Sequence, residues 1–199
     1  MDILEPKAVV GTNSWGSAAY GKVLRGESVD RATIRQCYEK AKETGLLIFD
    51  LAQDYGLGKA QKMIGDFGTA DIVISSKFTP GSFYRPGQVR RSLEKDLRDF
   101  KRDHIDIYWL HLPSDIEKNL GEIIGLFREG KIRNIGVSNF NMEECMEAKR
   151  ILDDAGIPLY GVQNHYSLVN RKWEWTVLSD GAMITISSSG HGPYWRKEC

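Results

Sequence analysis

The stretch GLLIFDLAQDYGLGKA, Gly45 to Ala60, runs an apolar segment straight into a carboxylate and then a phenol. Leu46 to Phe49 is apolar on successive residues, as in a strand buried on both faces, and it stops at Asp50. Tyr55 follows one short loop later. A capped strand and a surface turn account for either residue alone. As a pair they need partners elsewhere in the chain.

Working outward, similar runs recur in VVGT (Val9 to Thr12), LLIFDL (Leu46 to Leu51), IVISSK (Ile72 to Lys77), IDIYWLH (Ile105 to His111), IRNIGVS (Ile132 to Ser138), PLYGVQN (Pro158 to Asn164) and MITIS (Met183 to Ser187). Helical patterns alternate with them. Asp30 to Thr44 opens on an acidic residue and closes before Gly45. Pro86 to Phe100 places Val89, Leu93, Leu97 and Phe100 on one face. Asn141 to Asp154 has an Asn N-cap, Glu144 three residues on, and Gly156 just past its end. Repeated βα units dictate a parallel sheet, either open and doubly wound or closed as a barrel. No linker or composition break divides residues 1–199, so one domain is expected.

The chain of 199 residues is long enough to bury a sizeable core. Its 27 basic and 27 acidic side chains balance, which removes the electrostatic signature of nucleic-acid or anionic-membrane binding. No apolar run is long enough to span a bilayer, and MDILEPKAVV lacks the pattern of a secretory signal. Cys37, Cys145 and Cys199 form no CxxC and no metal-ligand spacing with histidine, so a reducing, cytoplasmic setting without a metal is expected.

Parallel sheets gather functional groups at the C-terminal ends of their strands. Asp50, Lys77 (in SSKF), His111 (in YWLHLP), Ser138 and Asn139 (in GVSNF), and Gln163 and Asn164 (in GVQNHY) all fall there. One polar strand end is ordinary; a whole rim of them points to a site. A phenol with an ordinary pKa of about 10 is a poor acid, and a nearby ammonium lowers it. Lys77 can play that part, with Asp50 holding it charged and aimed. His111 can orient a substrate oxygen, and such a phenol can protonate a carbonyl oxygen. Ser138, Asn139 and Gln163 suit a carboxamide. Gly56-Leu57-Gly58 begins a GxGxxG, but Gln61 stands where the third glycine belongs, so a Rossmann fingerprint is a poor reading. Surface or structural roles are expected for His104, His165 and His191, while Trp15, Phe78, Tyr84 and Trp109 could line a pocket or simply pack.

FDLAQDYGLG, SSKF, IDIYWLHLP, GKIRNIGVSNF and GVQNHYSLVNR, in this order, resemble the successive signatures of the aldo-keto reductase superfamily. The resemblance runs from about Gly11 to about Arg171. It implies a (β/α)8 barrel that reduces aldehydes and ketones with NADPH. It implies a catalytic tetrad at Asp50, Tyr55, Lys77 and His111. Cofactor contacts are implied at Gly11, Thr12, Asp50, Ser138, Asn139 and Gln163. The implied substrate pocket is bounded by Trp15, Tyr55 and His111, and the implied partner is a small carbonyl compound.

The sequence departs from that pattern after Arg171. A (β/α)8 barrel typically takes about 250 residues. Here one further strand is expected, after a helix squeezed into WEWTVLSD, and the eighth βα unit is missing. The expectation is therefore an incomplete TIM-type barrel of about seven strands, shortened after the seventh. Such a barrel has an open edge, which a second copy of the chain could cover. The alternative reading is a remnant that keeps the motifs but lacks turnover and serves in binding or regulation.

Overall fold

The computed structural model describes residues 8–16, 29–165, 183–188 and 191–196, the last two segments by their backbone alone. The strands β1 (Val10–Gly11), β2 (Ile48–Asp50), β3 (Val73–Phe78), β4 (Ile107–Leu110), β5 (Ile135–Ser138), β6 (Gly161–His165), β7 (Met183–Ser188) and β8 (His191–Arg196) form one sheet in chain order. β1 to β7 are parallel. The sheet curls into an incomplete TIM-type barrel, as the sequence implies. Among the described residues no eighth βα unit follows β7. Instead β8 returns antiparallel along β7 as a hairpin, which the sequence reading did not anticipate. It comes to lie beside β1. The helix expected over WEWTVLSD and the thiol of Cys199 lie outside the described residues. No helix among the described residues is long and apolar enough to cross a membrane.

Five helices are described: α1 (Arg31–Glu43), α2 (Lys59–Phe67), α3 (Gln88–Phe100), α4 (Ile116–Arg128) and α5 (Met142–Asp154). Asp30 caps α1 by accepting from Thr33 N, and Asn141 and Glu144 form a full capping box on α5. α3 starts at Gln88 rather than at Pro86, because Gly87 is left-handed (φ 76°). The free amides of Gly87 and Val89 donate to the Glu122 carboxylate of α4 (2.7 and 3.0 Å), which occupies the positive end of the helix dipole.

Alternation along each strand divides the sheet into two faces. Outward residues such as Phe49, Ile74, Tyr108, Ile135 and Val162 join Leu93, Phe100, Leu120, Ile123 and Leu152 of the helices in the main apolar core. Inward residues Ile48, Ile107, Trp109 and Tyr160, with Val9, form a second cluster that fills the barrel floor. Trp109 fits there because β5 presents no side chain to it. A Cβ added at Gly136 would stand 2.3 Å from the indole ring.

The helix-side layer holds a buried acid. Asp96 of α3 is fully buried and accepts from Ser76 Oγ of β3 (3.2 Å), while its other oxygen has no hydrogen-bond partner. Burial pushes its pKa up to about 7, against the opposing pull of the neighbouring Gln61 and Ser76 side chains. The folded state thus keeps a proton that an unfolded Asp releases near pH 4. Stability contributed by the protonated acid is present at low pH and falls as pH rises from about 4 to about 7. Asp96→Asn removes that loss. The variant should be more stable than the parent by on the order of 2–4 kcal/mol above this window, with the gap closing toward pH 4. Urea midpoints of both proteins at mildly acidic and mildly alkaline pH check this, and a gap that does not depend on pH refutes it.

Candidate active site

β2 and β3 bring the first groups together. Asp50 stands opposite Ser75 in register, and Lys77 lies two residues further on the same inward face. The Lys77 ammonium is buried at 2% exposure. Nζ donates to Asp50 Oδ2 (2.6 Å), to the Leu51 carbonyl (2.9 Å) and to the Tyr55 hydroxyl (3.4 Å). Its three N–H groups therefore have three acceptors. Thr12 steadies the end of β2, its N–H and hydroxyl both donating to the Asp50 carbonyl (3.2 and 2.9 Å), while Gly11 pairs with Asp50 in the ladder.

Tyr55 is delivered by a 3-10 turn, Tyr55–Gly58, that a standard backbone cannot make. Gly56, Leu57 and Gly58 all have positive φ (58°, 57° and 82°). A Cβ on Gly56 would stand 2.6 Å from the Trp15 carbonyl, so glycine lets the loop after β2 press onto the loop after β1.

Electrostatics separate the roles of these groups. Burial by itself lowers the pKa of Lys77, but the attraction of Asp50 and Tyr55 outweighs it and the net direction is upward. Burial raises the pKa of Tyr55 and exceeds the lowering by Lys77. The expectation of a depressed phenol is corrected here: the ammonium acts in the predicted direction, and desolvation wins. His111 falls to about 4, through burial first and the Lys77 charge second, so its imidazole is neutral at neutral pH. Its Nδ1 is hydrogen-bonded to Thr79 Oγ1 (2.9 Å).

The amide end of the rim is built on β5 and β6. Ser138 Oγ donates to the Gln163 carbonyl (2.8 Å). Asn139 is left-handed (φ 59°), and its side chain turns back to donate to the His111 carbonyl (3.0 Å). Asn164 is committed to the Phe140 backbone, accepting from N–H (3.1 Å) and donating to C=O (2.8 Å). Gln163 Oε1 is buried with no donor among the described residues. A buried acceptor left open costs about 1–3 kcal/mol unless a ligand supplies the donor. The N–H of a carboxamide fits that need.

Other candidates fall elsewhere. The Trp15 ring meets Phe49 at 6.2 Å between centroids, and Phe49 faces outward, opposite to Asp50. Phe78 is buried on the outward face, and the Tyr84 hydroxyl donates to Glu122 (2.8 Å). His104 is bound to Asp103 (2.6 Å) before the start of β4, at the opposite end from the rim. Two residues next to the tetrad escaped the sequence reading. Ser75 donates to Asp50 Oδ1 (2.8 Å), and Thr79 holds His111. Period two along β3 signals both, since Ser75, Lys77 and Thr79 share one face.

A profile described as "Aldo/keto reductase family" matches residues 7–178, and this chain belongs to that family. It is 30% identical over 184 residues to aldo-keto reductase YhdN of Bacillus subtilis, covering 85% of this chain and 53% of that protein. The L-glyceraldehyde 3-phosphate reductase of Escherichia coli O157:H7 is 28% identical over 192 residues, covering 87% and 53% respectively. Among solved structures, the thermostable aldo-keto reductase Tm1743 with the inhibitor epalrestat superposes with TM-score 0.71 at 27% identity, over 88% of this chain and 66% of that one. An aldo-keto reductase from Klebsiella pneumoniae in complex with NADPH gives TM-score 0.70 at 27% identity, over 84% and 57%. The chain spans about half the length of the curated relatives it matches.

Removing the buried cation tests the geometry without reference to activity. Lys77→Met leaves Asp50 charged and buried, and should cost about 3–5 kcal/mol of folding stability. Adding Asp50→Asn to it should recover most of that loss. Urea unfolding of the single and double variants measures the difference, and equal losses in both would mean that the pair is not coupled.

Proposed function

We propose that this chain reduces aldehyde or ketone carbonyls with NADPH, with Tyr55 as the general acid. One observation carries the reading. Lys77 donates to the Tyr55 oxygen, so the proton of that hydroxyl is left for another acceptor. NADPH, when bound, supplies a hydride to the carbonyl carbon. Ser138, Asn139 and Gln163 would hold its carboxamide, with the open Gln163 acceptor taking an N–H. The neutral His111 imidazole would hydrogen-bond the carbonyl oxygen and bring it to the phenol. Tyr55 then gives its proton to that oxygen as negative charge builds there. The phenolate left behind is stabilised by the Lys77 ammonium, which Asp50 keeps charged.

The high resting pKa of Tyr55 is consistent with this cycle. A phenol that stays protonated across neutral pH is ready to donate, and Lys77 helps most once the proton has left. The names of the relatives support carbonyl substrates, and the complex of the Klebsiella protein supports NADPH.

Tyr55→Phe keeps the ring and removes the proton. Carbonyl reduction, followed by NADPH consumption over a panel of aldehydes, should fall by at least about 10²–10⁴-fold. Cofactor affinity by fluorescence titration should hardly change. A Phe variant that reduces aldehydes at the parental rate refutes Tyr55 as the acid. NADPH binding with no turnover by the parent would point instead to a binding role.

A further inference from the structure

Asp50 accepts on both oxygens, and the second acceptor faces an ordered chain that the tetrad does not include. Trp109 Nε1 donates to Ser75 Oγ (2.8 Å), and Ser75 Oγ donates to Asp50 Oδ1 (2.8 Å). All three side chains are buried. The direction of the chain is forced. An indole nitrogen only donates, an ionised carboxylate only accepts, and the serine has one proton. With the indole on its oxygen, Ser75 turns that proton toward Asp50. The indole is itself pinned, with its ring in the slot left by Gly136 and its edge packed against Tyr160 (6.1 Å, 68°).

We propose that Ser75 and Trp109 are positioning residues for the proton donor: the indole N–H sets the direction of the Ser75 hydroxyl, and that hydroxyl fixes the Asp50 carboxylate so that its other oxygen meets Lys77. This rests on the reading of Tyr55 as the acid. The physical effect runs outward from the barrel floor. Asp50 offsets the burial that would otherwise strip the proton from Lys77, and a charged Lys77 occupies the Tyr55 oxygen. A carboxylate held by one partner can rotate away. Held from both sides, it keeps its full attraction for the ammonium. Hydrogen bonds that polarise one another along such a chain strengthen each link.

The test reads Lys77 directly. The chain is prepared with isotope-labelled lysine, and the Lys77 resonance is identified by its loss in Lys77→Met. Its titration is followed by NMR in the parent, in Ser75→Ala, and in a chain carrying benzothienylalanine at position 109, a sulfur isostere of tryptophan that lacks the N–H. The ionisable groups around Lys77, namely Asp50, Tyr55 and His111, are the same in all three. In Ser75→Ala and in the isostere, Lys77 should lose its proton about one pH unit lower than in the parent, a tenfold fall in proton affinity. The two changes combined should shift it no further than Ser75→Ala alone, because the indole acts through the serine. Ser75→Thr, which keeps the hydroxyl, should titrate like the parent. An unmoved Lys77 resonance in Ser75→Ala overturns the proposal, and so does an additive shift in the combined chain. Loss of packing alone would leave the Lys77 titration where it is. Because the resonance does not depend on turnover, its outcome is separate from the rate of Tyr55→Phe.

Discussion

An ammonium group buried at 2% exposure must be answered on every N–H, and the barrel is arranged around doing so for Lys77. Taking the charge out of water costs several kcal/mol before any partner is counted. The answer comes from three places at once: the last residue of β2, the carbonyl after it, and the phenol of the following turn. Each has its own demand. Asp50 needs donors on both oxygens, the Leu51 carbonyl needs the chain to leave β2 at a set angle, and Tyr55 needs a turn that only glycine-rich backbone forms. Much of the local sequence from Ile48 to Gly58 follows from that one buried charge.

The two faces of the sheet solve different problems. Outside, apolar side chains meet the helices, and the polar exceptions are few: Ser76, Gln61 and Asp96 form a small buried group in which one acid holds its proton. Inside, an apolar floor carries a polar storey. The strand ends of that storey are tied sideways. Asn139 reaches from the end of β5 to the carbonyl of His111 at the end of β4, and Thr79 beyond β3 holds the ring of the same histidine. Neutral His111 therefore sits between two neighbours, its backbone held by one and its ring by the other.

Most of the strands and the polar residues at their ends were legible because their signals are local. A run of apolar residues ending on a polar one reads as a buried strand with its end at the rim, and that reading found Asp50, Lys77, His111, Ser138 and Gln163. Helices with side-chain caps were equally plain, as Asp30 and Asn141 show. α2 and α4 escaped because neither announces its start. α2 begins after left-handed Gly58 and α4 after left-handed Asp115, both without a side-chain cap bond. Gly121 and Gly125 further dilute the helical signal of α4. Ser75 and Trp109 were illegible as a pair for another reason. Their bond crosses from β3 to β4 over 34 residues, and only strand register brings it into being. The depressed phenol failed as an expectation because sequence shows which charge is near but not how much water is gone.

The hydrogen bonds from Trp109 through Ser75 to Asp50, and from Lys77 back to Asp50, cross three adjacent strands on the inward face. Parallel strands packed through apolar side chains alone have a weakness. A slip of one residue turns the faces inside out and is heavily penalised, but a slip of two keeps every side chain on its proper face. Greasy contacts between β3 and its neighbours discriminate poorly against that second error. A buried ammonium does not: moved two residues along, it loses its carboxylate and stands uncompensated in the interior. The same ion pair that ties β2 to β3 at the rim therefore also serves as an alignment key during assembly, rejecting misthreaded sheets that hydrophobic patterning would let pass.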